Sequence, residues 1–380
     1  MPLTLNTQLD QLLLSGIRRF SALAKATPGC ISLTLGEPDL NTDEVVKTQV
    51  TQDLRDNLTH YPLNNGQPYV REAISGHMAQ CRGLAYAPDE VILTCGATEA
   101  LYASLTAVLN PGDEVIIPVP AFTLYQSIVV MNRAVPMEVD TSQTDFQLTR
   151  ELLEGTFTPR TKAVVVASPN NPTGVVLTPE SLDVLAEFSS AHDVFVICDD
   201  VYGRLVYEPG FQSFAARHPQ LRDRTIVCDS FSKPYAMTGW RLGWIAANRE
   251  LIAQISKVHQ YMISSVPAFL QHAACTALET DISPALELYR DRRELVLARL
   301  DQMGLPTVRP EGAFYAFPQV SQFGLSSEEF CERAIRQAGV ALVPGVFFGA
   351  EGYVRLSYCC AIEDIAQGLD RLESFIRTLE

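Results

Sequence analysis

The stretch Cys228–Trp244, CDSFSKPYAMTGWRLGW, decides how the rest of the chain is interpreted. It follows directly from the apolar run Thr225–Cys228 and then turns polar and small at Ser230, Ser232 and Lys233. A lysine among small hydroxyl residues at a strand exit is a candidate Schiff-base nucleophile. A loop with one surface lysine is the simpler alternative, and this motif alone does not exclude it.

A second charged residue follows the lysine at a spacing that suggests an anion site. Arg241 lies in Thr238-Gly239-Trp240-Arg241-Leu242-Gly243, on the carboxyl side of Lys233. Ser230 and Arg241 can together bind a dianionic phosphate through a hydroxyl contact and a guanidinium fork. A nearby cation also lowers the pKa of a lysine amine, as a nucleophilic amine requires. A lysine beside a phosphate anchor is what pyridoxal 5′-phosphate (PLP) needs, so the remaining motifs must decide between this and a plain loop.

The composition is typical of a globular enzyme with two domains. The 380 residues exceed one ordinary hydrophobic core. Hydrophobic residues make up 47% and charged residues 19%, which excludes a disordered chain. The formal net charge of −15 argues against non-specific binding to nucleic acid or to an anionic membrane. Local arginines can still bind an anionic ligand against this overall field.

The compartment is predicted from the first residues and from the cysteines. Met1–Asn6 has neither the basic region nor the apolar region of a signal peptide, and no apolar run is long enough to cross a bilayer. The nine cysteines are scattered and several lie in apolar runs, which indicates thiols in a reducing environment. We therefore expect a cytoplasmic protein. No CxxC or histidine pair suggests a metal site.

The middle of the chain alternates between short apolar strands and helices. Strands are predicted at Glu90–Thr94, Glu114–Pro118, Val135–Val139, Ala163–Ala167, Val194–Cys198, Thr225–Cys228 and Gly243–Ala246. Helices such as Glu99–Leu109 and Leu182–His192 separate them, and a further helix is predicted before the first strand, from about Pro68 to Arg82. This alternation predicts an α/β fold with a mostly parallel, seven-stranded sheet covered on both faces.

The ends of the chain are predicted to form a smaller α+β domain. An N-terminal helix is expected from Thr7 to Lys25, and a second from Thr42 to Asp56 with Thr42 as its cap. At the other end the predicted elements are a long helix at Ser283–Met303, strands at Thr307–Arg309, Ala316–Phe317, Ala341–Val343 and Tyr353–Leu356, and helices at Glu328–Ala338 and Ile362–Leu379. We predict a large domain at 45–285 and a small domain at 1–44 and 286–380.

Three short motifs at predicted strand exits are candidate parts of a ligand site, because open α/β sheets bind ligands at the carboxyl ends of their strands. Gly96-Ala97-Thr98 would direct the N–H groups of a helix start at an anion. Phe122 could stack on a flat ring, and the amide of Asn171 could donate to a ring oxygen. Each also has an ordinary alternative: a helix cap, core packing and turn chemistry.

Two charged residues in apolar strands require partners. Asp199 ends the run Val194–Cys198, and a buried carboxylate there is expensive unless it is paired. A protonated pyridine nitrogen would pair it, and Tyr202 could then reach the ring's 3-oxygen. The neighbouring Asp200 is equally eligible, although its spacing to Tyr202 is less suitable. Arg355 could grip a substrate α-carboxylate, with an internal salt bridge as the alternative.

Taken together, these motifs resemble the fold-type I PLP-dependent aminotransferases of class I/II. The resemblance is carried, in order, by Gly36-Glu37-Pro38-Asp39, Tyr61, Gly96-Ala97-Thr98, Asn171-Pro172-Thr173-Gly174, Asp199-x-x-Tyr202, Ser230-x-Ser232-Lys233, Arg241 and Arg355. It implies a PLP-transferase-like large domain. The segments Ser15–Phe20, Lys257–Tyr261 and Glu351–Ser357 further resemble the bacterial branch that holds aromatic-amino-acid and N-acetyl-diaminopimelate aminotransferases. Ala121 departs from many relatives, which have a bulkier residue beside the stacking position.

The resemblance also implies a role for each candidate residue. Lys233 would form the internal aldimine and shuttle a proton between Cα and C4′, Asp199 would pair with the pyridine nitrogen, and Phe122 would stack on the ring. The 3-oxygen would be held by Asn171 and Tyr202, and the phosphate by Ala97, Thr98, Ser230 and Arg241, while Gly96 and Ser232 would also contact the cofactor. Tyr61 would reach the phosphate of a partner subunit in a homodimer with shared active sites. Arg355 would bind the substrate carboxylate beside Gly36 and Asn171.

The function implied is ping-pong transamination of an L-amino acid with a 2-oxo acid such as 2-oxoglutarate as acceptor. The donor would be aromatic, aspartate-like or N-acyl-diaminopimelate-like. A PLP-dependent C–S lyase or decarboxylase on the same fold is the alternative, because the same adduct supports several bond cleavages. The effector-binding module of a transcription regulator is a third hypothesis, which the acidic charge and the presence of Lys233 disfavour.

Overall fold

A computed structural model describes residues 3–12 and 15–379 of the chain. Its α-helices in this part are α1 (Gly16–Ala26), α2 (Glu44–Arg55), α3 (Pro68–Arg82), α4 (Ala97–Val108), α5 (Leu124–Met131), α6 (Arg150–Thr156), α7 (Pro179–His192), α8 (Phe214–Arg217), α9 (Arg249–Ile263), α10 (Gln271–Leu278), α11 (Ser283–Gln302), α12 (Ser327–Arg333) and α13 (Ile362–Ile376). None of the described helices is both long enough and apolar enough to cross a membrane.

The strands form one large sheet and two small ones. They are β1 (Ile31–Ser32), β2 (Val91–Thr94), β3 (Glu114–Val119), β4 (Val135–Asp140), β5 (Thr161–Ala167), β6 (Phe195–Asp199), β7 (Thr225–Ser230), β8 (Gly243–Ala246), β9 (Tyr315–Ala316), β10 (Val340–Ala341), β11 (Val343–Pro344) and β12 (Val354–Ser357). The large sheet has seven strands in the order β2-β8-β7-β6-β5-β3-β4. Strand β1 pairs with β10, and β12 lies between β11 and β9.

The large sheet confirms the predicted α/β fold. Its strands are parallel from β7 to β4, and only β8 runs antiparallel to both of its neighbours. Alternate residues of one strand pack into different cores: Ile197 joins the cluster with α4 and α9, whereas Val196 and Cys198 join the cluster with α7. Burial on both faces explains why these strands are continuous apolar runs.

Local sequence signals set the bounds of the best-predicted helices. Helix α3 begins at Pro68, whose fixed φ suits the first helical position, and ends before Gly83, which adopts a left-handed φ of 66°. Helix α7 begins after Thr178, whose hydroxyl accepts from the Ser181 N–H. These helices bring the polar turns between strands to one edge of the sheet.

Several predicted elements differ in the structure. The N-terminal helix is divided into a 3₁₀ turn at Thr7–Gln11 and α1, while Leu13, which the prediction included, lies outside the described residues. Thr42 does not cap α2: its hydroxyl donates to the carbonyl of Ala236, and Asp43 accepts from the helix instead. The predicted strand at Thr307–Arg309 is an irregular segment.

A separate hydrophobic cluster joins the two ends of the chain. It contains Phe20 and Leu33 from the N-terminal part, Tyr315 and Leu356 from the small sheet, and Leu369 from α13. The parallel pairing of β1 with β10 ties the same segments together through their backbones. This cluster places β12, and with it Arg355, against the edge of the large sheet, whereas the domain boundaries at 45–285 stay a prediction.

Candidate active site

The carboxyl ends of β5, β6 and β7 open into a cavity of about 380 Å³. Of the residues predicted for a cofactor or substrate, those that line it are Gly36, Ala97, Thr98, Phe122, Asn171, Asp199, Tyr202, Ser230, Ser232, Lys233, Arg241 and Arg355. A groove of about 480 Å³ beside α13 contains none of them. In the described part of the chain, no group of three or more His, Cys, Asp or Glu side chains is arranged to hold a metal ion.

Three residues named in the sequence analysis lie outside the cavity lining. Gly96 precedes α4 with a φ of 80°, and a side chain there would lie within 2.6 Å of the Arg241 guanidinium, so the glycine lets this cation approach the helix start. Tyr61 is 91% exposed on the surface. Ala121 is buried, and its N–H donates to the carbonyl of Phe348, so its small side chain does not widen this cavity.

Lys233 lines the cavity, and the pKa of its amine is lower than that of an ordinary lysine. Its Nζ donates to the carbonyl oxygen of Gly36 at 2.5 Å, and none of the described carboxylates forms an ion pair with it. Burial lowers the pKa of this amine to about 8, and the positive charges of Arg355 and Arg241 act in the same direction. The amine is therefore much closer to its nucleophilic form at neutral pH than an ordinary lysine.

An anion cradle lies at the start of α4. The helix has no side-chain cap at Gly96, so its first N–H groups remain available beside Thr98. The Ser230 hydroxyl accepts from the Ser232 N–H at 2.8 Å, which leaves the Ser230 proton free for another acceptor. Arg241 donates to the carbonyl of Thr238, and no described carboxylate pairs with it. Cation, hydroxyls and helix N-terminus together suit a phosphate.

The structure distinguishes the two adjacent aspartates. Asp200 is bonded to Arg82 at 2.6 Å, deep inside the protein. Asp199 lines the cavity and is 5% exposed, and its carboxylate accepts from the Tyr125 hydroxyl at 2.6 Å without a cationic partner. Burial raises the pKa of the Asp199 carboxyl to about 6, while the Tyr125 hydrogen bond opposes this rise. Of the two, only Asp199 faces a possible ligand.

Arg355 is a buried cation without a carboxylate partner among the described residues. It is 2% exposed, and it donates to the Asn171 side-chain oxygen at 2.8 Å and to the Thr34 carbonyl at 2.7 Å. Its Nε has no hydrogen-bond partner. The internal salt bridge considered for Arg355 is therefore wrong. Because Arg355 fixes the oxygen of Asn171, the amide N–H₂ of Asn171 remains free to donate.

Two tyrosines in this cavity were missed by the sequence analysis. Tyr125 reaches Asp199, and the Tyr315 hydroxyl lies 2.8 Å from the hydroxyl of Tyr202. Tyr315 lies in the middle of the apolar run Ala313-Phe314-Tyr315-Ala316-Phe317, so its polar tip offered the same kind of signal as the charge of Arg355. Tyr125 follows Phe122 by less than one helical turn, which places both at the same strand exit.

The residues present fit PLP. Asp199, a carboxylate without a cationic partner among the described residues, lines the same cavity as the phosphate-suited cradle. The remaining walls include the ring of Phe122 and the amine of Lys233, whose pKa is lowered. The unpartnered Nε of Arg355 supplies a second anion site beside them. These features match a flat ring with a basic nitrogen, a phosphate and an aldehyde, accompanied by a carboxylate substrate.

Comparison with known proteins gives the same result. A family model described as aminotransferase class I and II matches residues 28–372. The chain is 41% identical over 378 residues to a probable N-acetyl-LL-diaminopimelate aminotransferase of Bacillus subtilis, covering 98% of this chain and 95% of the relative. It is 38% identical over 385 residues to aromatic-amino-acid aminotransferase 2 of Thermococcus litoralis, covering 99% of both.

Solved structures agree with these relatives. The aspartate aminotransferase of Thermus thermophilus with maleate matches with a TM-score of 0.93 at 34% identity, over 98% of this chain and 100% of that one. The aromatic aminotransferase of Pyrococcus horikoshii matches with a TM-score of 0.90 at 38% identity, over 95% of this chain and 100% of that one. The similarity extends over both the large sheet and the terminal segments.

Proposed function

The chain belongs to the class I and II aminotransferases and is therefore a PLP-dependent transaminase, and we propose that the cavity around Lys233 is its active site. The predicted family, reaction type and cofactor are thereby confirmed, and so is the resemblance to aromatic and N-acetyl-diaminopimelate aminotransferases. The residue roles, the substrate and the assembly are the proposal argued below.

One observation carries this proposal: the cavity that contains Lys233 also contains a buried arginine without a counter-ion. A guanidinium that is 2% exposed is costly unless an anion accompanies it. Arg355 donates only to neutral oxygens and retains an unpartnered Nε. A substrate α-carboxylate would supply the missing charge and accept a bidentate grip.

The other lining residues would hold the cofactor. Thr98, Ser230, Ser232, Arg241 and the N–H groups of Gly96-Ala97 would hold its phosphate; Asp199 would keep its ring nitrogen protonated; Asn171 and Tyr202 would donate to its 3-oxygen; Phe122 would pack on its face. PLP bound in this way supplies an electron sink for the bonds at the substrate's Cα. Asp199 can act in this role because, among the residues that the structure describes, Tyr125 is the only charged or hydroxyl donor at its carboxylate.

Lys233 would move the proton. Its Nζ lies beside the Gly36 carbonyl, and burial favours its neutral form, so after the substrate amine has displaced it the Lys233 amine can accept a proton from Cα. The same Nζ can return this proton at C4′. Arg355 and Gly36 would meanwhile hold the α-carboxylate, so that Cα stays within reach of Nζ. The 2-oxo acid formed from the donor would leave before the acceptor 2-oxo acid binds, so the reaction would be ping-pong.

The proposed donor is an aromatic, aspartate-like or N-acyl-diaminopimelate-like L-amino acid, and the proposed acceptor is 2-oxoglutarate or a similar 2-oxo acid. The relatives named for these donors support the choice. The cavity lining also includes the apolar residues Ile17, Leu35 and Leu124, which suit an aromatic side chain, and Arg18, which suits an acidic one.

We also propose a homodimer with shared sites, located in the cytoplasm. Tyr61, Leu63, Tyr261 and Met262 are large apolar residues that remain 91%, 53%, 88% and 41% exposed. They lie together because Asn64 donates to the carbonyl of Ser264 at the end of α9. Such an exposed apolar surface suits an interface between subunits. The nine free cysteines support a reducing compartment.

An absorbance titration tests the proposed site. The purified protein with PLP is mixed with phenylalanine, tyrosine or aspartate in turn, without acceptor, and loss of the cofactor's absorbance band measures the first half-reaction. Arg355→Gln should weaken the response to every donor by about 100-fold, since a charge-assisted bidentate contact is lost. The control Arg336→Gln changes an exposed arginine that pairs with Glu332 and should respond as the unmodified protein does.

Two results would contradict the proposal. An Arg355→Gln variant that responds as well as the Arg336→Gln control would separate Arg355 from the substrate carboxylate. Release of pyruvate and ammonia from cystathionine, with no acceptor and no response to the three amino acids, would instead favour a C–S lyase activity at this site.

A further inference from the structure

Tyr315 lies where the carboxylate site meets the cofactor site. It is 1% exposed, lines the cavity and belongs to β9, which pairs with β12 through Tyr315 and Ser357. We propose that Tyr315 is a positioning residue that couples Arg355 to Tyr202, so that substrate recognition and the electronic state of the bound cofactor depend on one side chain. This inference rests on the proposed function of the cavity.

The hydroxyl of Tyr315 can act as the donor to Tyr202, which leaves the Tyr202 proton for a ring oxygen. The two hydroxyl oxygens are 2.8 Å apart, and Tyr202 is 4% exposed, so no solvent replaces this contact. Burial raises the pKa of Tyr315 to about 12, so its proton is retained at neutral pH. Tyr202 can donate to a ring oxygen while accepting from Tyr315, and such a chain strengthens the second hydrogen bond.

The ring of Tyr315 packs against the guanidinium of Arg355 in a cation–π contact. The guanidinium carbon lies 4.5 Å from the Tyr315 ring centroid and 5.0 Å from that of Phe348. Together with the bonds to Asn171 and Thr34, these rings fix the plane of the guanidinium. A fixed plane matters because a bidentate grip on a carboxylate requires a defined fork direction.

Gly36 completes the arrangement. A Cβ at this position would collide with the Tyr315 hydroxyl, so the backbone passes directly over it. The carbonyl of the same residue accepts from Lys233. Tyr315 therefore touches the Gly36 backbone, whose carbonyl accepts from Lys233, as well as Tyr202 and Arg355.

The experiment separates the hydroxyl from the ring. Tyr315→Phe keeps the ring and loses the hydroxyl, whereas Tyr315→Leu loses both. Tyr358→Phe is the matched control, because Tyr358 is 0% exposed and also forms a tyrosine–tyrosine hydroxyl contact, with Tyr207 at 3.3 Å, but does not line the cavity. For each variant we would measure the PLP dissociation constant, the pH midpoint of the cofactor's absorbance without substrate, and KM and kcat for one donor.

Tyr315→Phe should move the absorbance midpoint to higher pH by about 0.5 to 1 unit, since a weaker donor at the 3-oxygen disfavours its anionic form. Its KM should stay within about twofold, because the ring under Arg355 remains. Tyr315→Leu should add a rise in KM of about tenfold. Tyr358→Phe should leave all these quantities unchanged.

The coupling is refuted if Tyr315→Phe leaves the midpoint at its original value or shifts it no more than Tyr358→Phe does. It is also refuted if Tyr315→Leu, checked for folding by its melting temperature, leaves KM unchanged. Should Tyr315→Leu not fold, the Tyr315→Phe midpoint still decides the question. Failure of the proposed function would appear differently, as an unmodified protein that binds PLP but shows no spectral response to any amino acid.

Discussion

At Lys233, burial and two neighbouring arginines favour the neutral amine, and this determines how fast the protein can capture its cofactor. The pKa of this amine is about 8, compared with about 10.4 for an ordinary lysine. We expect the rate at which PLP-free protein takes up PLP to rise with pH to a plateau, with a midpoint near that value. Stopped-flow absorbance over pH 6 to about 10.5 measures it.

The variant Arg355→Met tests whether the charge of Arg355 lowers the pKa of Lys233. Loss of the neighbouring positive charge should raise the pKa of Lys233 and move the uptake midpoint to higher pH. Arg336→Met, at an exposed position far from the cavity lining, should leave the midpoint in place. A midpoint that stays above about 10 in the unmodified protein would mean that Lys233 is solvated like a surface lysine.

Tyr125 sets the protonation of Asp199 in a similar way. Its hydroxyl donates to the carboxylate and lowers a pKa that burial has raised to about 6. In PLP-free Tyr125→Phe that pKa should rise, so PLP binding, which needs the Asp199 carboxylate, should reach its plateau at higher pH and should be about tenfold weaker near neutral pH. The loss of PLP affinity should become smaller as the pH increases, because Asp199 is then ionised in the variant as well.

A pH profile distinguishes this effect from general damage. A uniform loss of PLP affinity at every pH would mean that Tyr125 acts through packing on Phe122, whose ring lies 6.3 Å away, and not through Asp199. Tyr353→Phe is a suitable control, because Tyr353 stacks on Phe317 outside the cavity.

Single site residues could be predicted from the sequence where a charged side chain lies in or beside an apolar segment. Lys233, Asp199 and Arg355 are charges in or beside apolar strands, and all three line the cavity. Tyr125 and Tyr315 were not recognised, because a tyrosine satisfies an apolar position as well as a polar one, and only the three-dimensional contacts show which end matters. The choice between Asp199 and Asp200 likewise depends on Arg82, which is distant in sequence.

At the scale of elements, Arg82 of α3 holds the ends of two neighbouring strands together. It donates to Asp200, which follows β6, at 2.6 Å and to Asp229 in β7 at 2.8 Å, and all three side chains are at most 5% exposed. Arg82→Met should therefore lower the free energy of unfolding by about 3 to 5 kcal/mol, because two buried carboxylates lose their cation. Urea unfolding measures the change.

The loss should also depend on pH. Burial already raises the pKa of Asp229 to about 8 against the opposing charge of Arg82, and without Arg82 the folded-state pKa values of both carboxyls would rise further. The folded variant then holds these protons to higher pH than the unmodified protein does, so its stability should fall as the pH rises above the unfolded pKa of about 4, and the gap to the unmodified protein should widen once that protein's own carboxyls ionise. Arg150→Met breaks an exposed pair with Glu187 and should cost no more than about 1 kcal/mol.

The elements themselves were predicted well where periodicity, caps and length agree. The strands of the large sheet and helix α3 follow directly from apolar runs and from Pro68 and Gly83. The segment Thr307–Arg309 was predicted as a strand from β-prone residues, but it has no partner strand in the described chain. Strand formation depends on pairing, which local sequence does not contain. Thr42 failed as a cap for the same reason, since its partner is the distant Ala236.

At the scale of the whole molecule, the loop around Tyr61 is held rigidly by hydrogen bonds although Tyr61 itself contacts solvent. His259 contacts the carbonyl of Asn64 at 2.8 Å and Glu99 at 2.6 Å, and Asn65 donates to Ser256 at 2.9 Å. These bonds hold the loop against α9 while Tyr61 itself projects into solvent. A rigid loop that displays an exposed aromatic ring suits a site completed by a second subunit.

Complementation between two inactive variants tests this shared site. Lys233→Ala removes the nucleophile and keeps Tyr61, whereas Tyr61→Ala keeps the nucleophile and, under the proposed shared site, disables the phosphate site of the partner. If Tyr61 serves the other subunit, a mixed dimer contains one complete site, and a random mixture should recover about a quarter of the unmodified activity. The mixture is prepared by unfolding and refolding the two variants together, and size-exclusion chromatography confirms the assembly.

The controls decide between a shared site and a self-contained one. Refolding each variant alone should give no recovery, and mixing Lys233→Ala with Arg241→Ala should give none either, because both of those residues line the cavity within one chain and no mixed dimer would then contain a complete site. If the Lys233→Ala and Tyr61→Ala mixture also stays inactive while mixed dimers are present, Tyr61 does not serve the partner's site. If Tyr61→Ala is fully active alone, Tyr61 contributes nothing to the phosphate, and the exposed loop then has a different partner.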